Sequence, residues 1–105
     1  MKIYPSRAPD EIHGLTMDFA TDAVVRAGAT VASVTATVEV WSDSTGTDPT
    51  PSGILVGSAI LSGTIAKQFV TGGTVGVTYV INYLAVLSNG EKIKGQGRQT
   101  VSEFI

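Results

Sequence analysis

An all-β fold, a two-sheet antiparallel sandwich of about seven strands, is predicted by three features of the sequence. From Val77 to Leu87 nearly every residue is β-branched, aromatic or aliphatic, the composition of a pleated strand covered on both faces. Thr30 to Ser42 alternates cleanly, with Val34, Ala36, Val38 and Val40 on one face and Thr35, Thr37, Glu39 and Trp41 on the other. Turn signals recur roughly every 8–12 residues, with no helical period between them. Gly76 and Tyr79 enter the central strand as a small residue and a Tyr enter the sixth strand of an immunoglobulin-like sandwich. There the Tyr packs its ring in the core and bonds its hydroxyl to nearby backbone. The fold expected is therefore immunoglobulin-like.

The elements follow in order. Residues 1–10, MKIYPSRAPD, carry two prolines and mixed charge, and are expected to form an N-terminal arm, irregular or wrapped on a neighbouring subunit. The domain proper is then 11–105. Ile12 to Ala20 alternates weakly, with Leu15, Met17 and Phe19 on one side, as a half-buried strand does. Thr21 to Gly28 is expected as a loop, because Ala27-Gly28-Ala29 has no apolar face to dock. The Thr- and Val-rich stretch from Thr30 to Ser42 makes the clearest strand.

Ser42 to Gly53, SDSTGTDPTPSG, is a polar loop longer than the usual hairpin connection. Ile54 to Ile60 and Gly63 to Val70 are short strands around Leu61-Ser62-Gly63. Gly72 and Gly73 break the chain before the central strand, and Ser88-Asn89-Gly90 supplies the Asn-Gly pair that suits a tight hairpin after it. Glu91 to Ile105 forms a last strand, expected to be interrupted by a bulge or a close backbone approach at Gly95 and Gly97.

At 105 residues the chain makes one domain. Charged residues are 15% of it and mean hydropathy is +0.25, unusually apolar for a small domain that must present much of its surface to water. Buried surface beyond the fold itself is therefore expected. A net charge of −2 leaves no basic field for nucleic acid. The absence of cysteine excludes disulfides and thiolate metal sites. Met1 to Pro5 lacks the apolar run of a secretory signal, and no stretch is long and apolar enough to span a bilayer, so synthesis in a cytoplasm and no membrane partner are expected.

Few residues invite a chemical reading. His13 is the single histidine and has no motif around it, whereas a catalytic base needs a nucleophile or orienting partner. Asp43 and Asp48 lack calcium-loop spacing and sit among prolines. Gly72, Gly73 and Gly76 precede a strand, not a helix, and no Gly-Lys-Ser/Thr follows, so their role is turn geometry. No catalytic residue, metal or cofactor is expected. Lys92, Lys94 and Arg98 fall on one side of the last strand at period two, which suits an edge guarded by charge or the rim of an interface.

If Tyr79, Ile81 and Tyr83 face the core, the opposite row is Val80, Asn82, Leu84 and Val86, too apolar for a wetted sheet face. Val80, Leu84 and Val86, with Lys92, Lys94 and Arg98, are the expected interface. Gly72, Gly73, Gly76, Tyr79, Asn89 and Gly90 are the expected structural turn residues.

The stretch Thr71-Gly72-Gly73-Thr74-Val75-Gly76-Val77-Thr78-Tyr79, followed by Ser88-Asn89-Gly90-Glu91, resembles a family of small tailed-bacteriophage virion proteins of the fibre–tail adaptor type. Tyr4-Pro5 through Pro9-Asp10-Glu11, leading to Met17-Asp18-Phe19, resembles that family's start. The resemblance implies a non-enzymatic virion component, made in the host cytoplasm, that bridges the tail or head–tail region to fibres in several symmetric copies. Its partners would be other virion proteins (tail, connector or fibre subunits) and further copies of itself. The chain departs from the family pattern in the proline-rich middle, Ser42 to Ser62, and at Lys92, Lys94 and Arg98. Capsid decoration, a head-fibre role, or an adhesion module binding a receptor or carbohydrate through Ser42–Gly53 are the alternatives.

Overall fold

A computed structural model describes residues 1–20 and 28–103. Its strands are β1 (Lys2–Ile3), β2 (His13–Asp18), β3 (Val31–Val40), β4 (Leu55–Ser62), β5 (Ile65–Val70), β6 (Thr78–Leu87) and β7 (Lys92–Thr100), with one 3₁₀ turn at Pro51–Ile54. Apart from Gly28, the loop expected over Thr21–Gly28 lies outside the described residues, as do Phe104 and Ile105 of the expected last strand.

Two sheets face each other. One has the order β1-β7-β6-β3 and the other β2-β5-β4, and all pairings are antiparallel except β1 with β7. The core is built from the inner row of β6: Tyr79, Ile81, Tyr83, Ala85 and Leu87 are all buried. Leu15 and Phe19 from β2 and the residue after it, and Ala66 and Val70 from β5, meet that row from the second sheet. Val34, Ala36, Val38 and Val40 pack on the core from β3, on the face that the alternation predicts. They are only half-buried, because β3 is the outermost strand of its sheet.

The two buried tyrosines of β6 carry polar tips that must find partners in a dry core. Tyr83 donates its hydroxyl to the Leu15 carbonyl at 2.8 Å, which ties β6 to β2 across the sandwich. Tyr4 donates to the Thr16 carbonyl at 2.6 Å, and the two hydroxyls lie 3.2 Å apart. Burial pushes the Tyr83 hydroxyl far above its ordinary pKa, with the Tyr4 hydroxyl adding to it.

The first ten residues pack along the chain's own four-stranded sheet. Tyr4 N–H donates to Arg98 O at 2.9 Å and Ser102 N–H to Arg7 O at 2.9 Å, so the segment closes the edge of β7. Arg7 is fully buried. Its Nε donates to Gln99 Oε1 at 2.9 Å and its Nη1 to Gly72 O at 2.8 Å, while Nη2 has no hydrogen-bond partner among the described residues. Burial lowers the Arg7 pKa, opposed by Tyr79 and Glu11. Such a group resists water only while its partners hold it, so it commits the segment to this sheet.

Of the two readings of Gly95 and Gly97, the bulge is absent, since β7 pairs with β6 from Lys92 to Thr100 without a register shift, while another backbone does come close at Gly97, where β1 pairs with β7. The glycines also make room for side chains from elsewhere. Met17 packs over Gly95, and the Tyr4 ring lies on Gly97, where a Cβ would collide with it.

Gly97→Ala should therefore evict Tyr4 and loosen residues 1–10, at a cost of about 1–3 kcal/mol, the usual range for overpacking. Gly53→Ala, where a Cβ meets nothing, is the control and should leave the urea midpoint unchanged. Equal midpoints for the two variants would contradict the packing described here.

Candidate interaction surface

The outer face of the four-stranded sheet carries the residues expected at an interface. Register puts Val80 opposite Arg98 and Glu39, Leu84 opposite Lys94 and Thr35, and Val86 opposite Lys92 and Ser33. Lys92, Lys94 and Arg98 thus share one face with Val80, Leu84 and Val86, since no bulge intervenes in β7.

One of the six is corrected. Val80 is only 2% exposed. The Arg98 guanidinium sits 4.2 Å from the centre of the Trp41 ring, and these residues lie on β7 and beyond β3, on either side of β6. A contact between them must cross over β6, and Val80 lies beneath that crossing. The chain covers Val80 itself, under a cation–π stack whose two partners, Trp41 and Arg98, stay half-buried.

Beyond the stack, Gln96 Nε2 donates to Asn82 Oδ1 at 2.7 Å and Asn82 Nδ2 to Glu39 Oε1 at 3.2 Å. This ladder of amides explains Asn82 in an otherwise apolar row. What remains uncovered is Leu84, 39% exposed, and half-buried Val86, with exposed Lys92 and Lys94 beside them. The patch therefore sits at the Ser88–Gly90 end of the sheet. There Gly90 has φ +87°, its N–H donates to Leu87 O at 3.0 Å, and Asn89 Oδ1 accepts from Glu91 N–H at 3.0 Å.

At the opposite end the loop after β3 is tied down. Tyr79, fully buried, accepts from Thr74 N–H at 2.9 Å and donates to Asp48 Oδ2 at 2.7 Å. Gly73 is held at φ +94°, and a Cβ there would come within 3.1 Å of the Tyr79 ring, so the place has little room for a side chain. Ser44 Oγ accepts from Thr78 N–H at 2.9 Å and donates to Gly46 O at 2.8 Å. The hydrogen bonds from Tyr79 and from Thr50 N–H hold the Asp48 carboxyl below the usual carboxylate range. The Tyr79 pKa is raised, by burial first and by Asp48 second.

His13 Nδ1 lies 3.2 Å from Gln99 Nε2, and His13 Nε2 lies 3.9 Å from Glu11 Oε1. These contacts join the start of β2 to β7 and, among the described residues, place no nucleophile at the ring. Among the described residues no group of three His, Cys, Asp or Glu could hold a metal ion.

A second apolar surface escaped the sequence. On the outer face of β2-β5-β4, Ile60 is 53% exposed, and Ile65 and Val56 are exposed beside half-buried Phe69. Thr16, Ile60, Ser62, Ile65, Lys67 and Phe69 line a depression of about 410 Å³ there. Large exposed apolar areas of this kind mark interaction sites.

The family described as podophage GP4 fiber-tail adaptor protein gp77 matches residues 7–97. The chain belongs to that family. No curated relative matches it. The adaptor-family match opens at buried Arg7 and closes at Gly97, so it takes in β2 to β6 and most of β7. The Gly72-Gly73 turn, Gly76, Tyr79 and the Asn89-Gly90 hairpin all fall inside it.

The clamp on the loop gives a direct expectation. Tyr79→Phe should destabilise the domain by about 1 kcal/mol, the usual net value of a hydrogen bond. Because the folded-state pKa of Asp48 is depressed, its contribution is present above the unfolded carboxylate range and is lost as pH falls through the folded value. Thermal melts from neutral to acid pH should therefore show the difference between wild type and Tyr79→Phe shrinking on acidification. A difference that grows with acid would contradict the assignment.

Proposed function

We propose that this chain is a non-enzymatic virion component that bridges the tail or head–tail region to fibres, in several symmetric copies. Membership in the adaptor family supports the class. The observation that carries the mechanism is the pair of uncovered apolar patches on opposite faces of one sandwich. Leu84 and Val86, rimmed by Lys92 and Lys94, lie on one outer face, and Val56, Ile60 and Ile65 lie on the other. A bridge needs two surfaces that can be occupied together, and a two-sheet sandwich supplies them back to back.

The docking is geometric. Apolar side chains on a rigid sheet lose water against a complementary partner, and the lysines at the rim set orientation and partner choice. Buried Val80 and the Arg98–Trp41 stack hold the sheet face rigid beside the patch and do not themselves dock. The partners are other virion proteins and further copies of this chain. The adhesion reading is less well supported, since Asp48 and Ser44 pin the Ser42–Gly53 loop and Trp41, the aromatic residue that precedes it in sequence, is stacked with Arg98.

Replacing Leu84 with Lys and Val86 with Glu together should leave the melting temperature within a few degrees of wild type, because both side chains face outward. The same double variant should fail to enter particles when supplied in place of the wild-type chain. Normal incorporation, measured by its recovery with purified particles, would overturn this assignment of the surface.

A further inference from the structure

We propose that β3 is a docking edge for the β3 strand of a second copy, paired antiparallel about Ala36. The inference deepens the reading of several symmetric copies and rests on it for its biological setting.

The sheet edges are not treated alike. β7 is closed by β1 and flanked by Lys92 and Lys94. β4 is broken by an irregularity between Val56 and Ile60, where Gln68 Nε2 donates to Val56 O and Gly57 O at 3.3 and 3.1 Å. The β2 carbonyls of Leu15 and Thr16 are taken by the hydroxyls of Tyr83 and Tyr4 and by Lys2 Nζ. These are the devices that keep edges from pairing. β3 runs ten residues with none of them beyond a register shift at its start, between Val31 and Ser33. Among the described residues, it pairs only with β6.

Its free hydrogen-bonding groups can be assigned. Trp41 N–H donates to Thr78 O at 2.9 Å, so by alternation Glu39, Thr37 and Thr35 also turn their backbone groups toward β6. Val34, Ala36 and Val38 turn theirs to the open edge. Behind that edge a cleft of about 190 Å³ lies between Val34, Thr35 and Ala36 on β3 and Gly57, Ser58, Ala59 and Gln68 across from them. The inward row of β3 is half-buried for the same reason. Another strand alongside would satisfy the backbone and close the side of the core.

The chemistry of the edge selects the occupant. Antiparallel pairing about Ala36 places Val34 opposite the second copy's Val38, Thr35 opposite its Thr37, and Ser33 opposite its Glu39. Inward residues meet inward residues, and Val–Val and Thr–Thr are favourable cross-strand pairs. The single charged side chain of the strand, Glu39, meets a hydroxyl and never its own copy. The edge is thus self-complementary under a twofold axis, as an isologous interface requires.

Purified full-length chain tests this by sedimentation velocity over a concentration series, without any particle. Wild type should move from the mass of one chain toward two as concentration rises. Thr35→Lys with Thr37→Lys sets like charges opposite one another at two symmetric places on an exposed face. That variant should keep its melt and associate at least tenfold more weakly, and so should the matching Thr35→Glu with Thr37→Glu variant. An equimolar mixture of the two should associate again. Amide exchange on wild type offers a second readout: Val34, Ala36 and Val38 should gain protection with concentration. A wild type that stays at one chain's mass, or a lysine variant that associates undiminished, would overturn the proposal. Neither result touches the entry of Leu84 and Val86 variants into particles, so the two readings fail separately.

Discussion

The structure depends on burying the tyrosines of β6 without stranding their hydroxyls. Tyr79 and Tyr83 give the central strand most of its inner bulk, and a domain of this size has few other large side chains to spend on a core. Each ring brings a polar tip into a place where an unpaired hydroxyl would be costly. The partners that answer are distant in sequence: the Leu15 carbonyl for Tyr83, and Thr74 N–H with the Asp48 carboxylate for Tyr79. The second sheet, the β5–β6 turn and the long loop after β3 are thereby tied to one strand. The same logic extends outward through Tyr4, whose hydroxyl reaches Thr16 O and whose ring requires Gly97.

With the inner faces so occupied, the sandwich has little apolar material left to hide, yet it retains more than it can cover. Stacking of Arg98 on Trp41 shelters Val80, and the polar ladder of Gln96, Asn82 and the Glu39 carboxylate keeps the middle of the face hydrophilic. Leu84, Val86, Ile60, Ile65 and Val56 have no such cover from described residues. Low charge and positive mean hydropathy, visible in composition, are this surplus seen before its location is known. In a member of a fibre–tail adaptor family, we propose that neighbouring proteins complete this surplus.

Much of this was legible in the sequence where the period was regular. The alternation of Thr30–Ser42 assigns the inner row of β3 because nothing disturbs the pleat there, apart from the shift at the strand's start. The glycine turns and Tyr79 at the strand entrance were legible because each has a local steric or hydrogen-bonding reason. The outer patch on β4 and β5 was not. Val56 and Ile60 share a face as a period of two requires, but on β5 the outer row of Ile65, Lys67 and Phe69 is bulkier than the buried row of Ala66, Gln68 and Val70, so composition does not report which face is inside. Arg7 and Tyr4 were hidden for another reason. Their burial is decided by Gln99, Gly72 and Gly97, which only the fold brings near, while two local prolines argue for an irregular arm. Val80 was misplaced because its cover is a contact between Arg98 on β7 and Trp41 just after β3, which no local pattern reports.

The central claim is that the outer faces of both sheets are completed by partners in the assembled state. Hydroxyl-radical footprinting of the free chain against the chain in purified particles tests it most directly. The account predicts that Leu84, Val86, Ile60, Ile65 and Phe69 lose reactivity on incorporation, while the buried Tyr79, Ile81 and Tyr83 stay unreactive in both states. Outer rows that oxidise equally in the free and incorporated chain would contradict it.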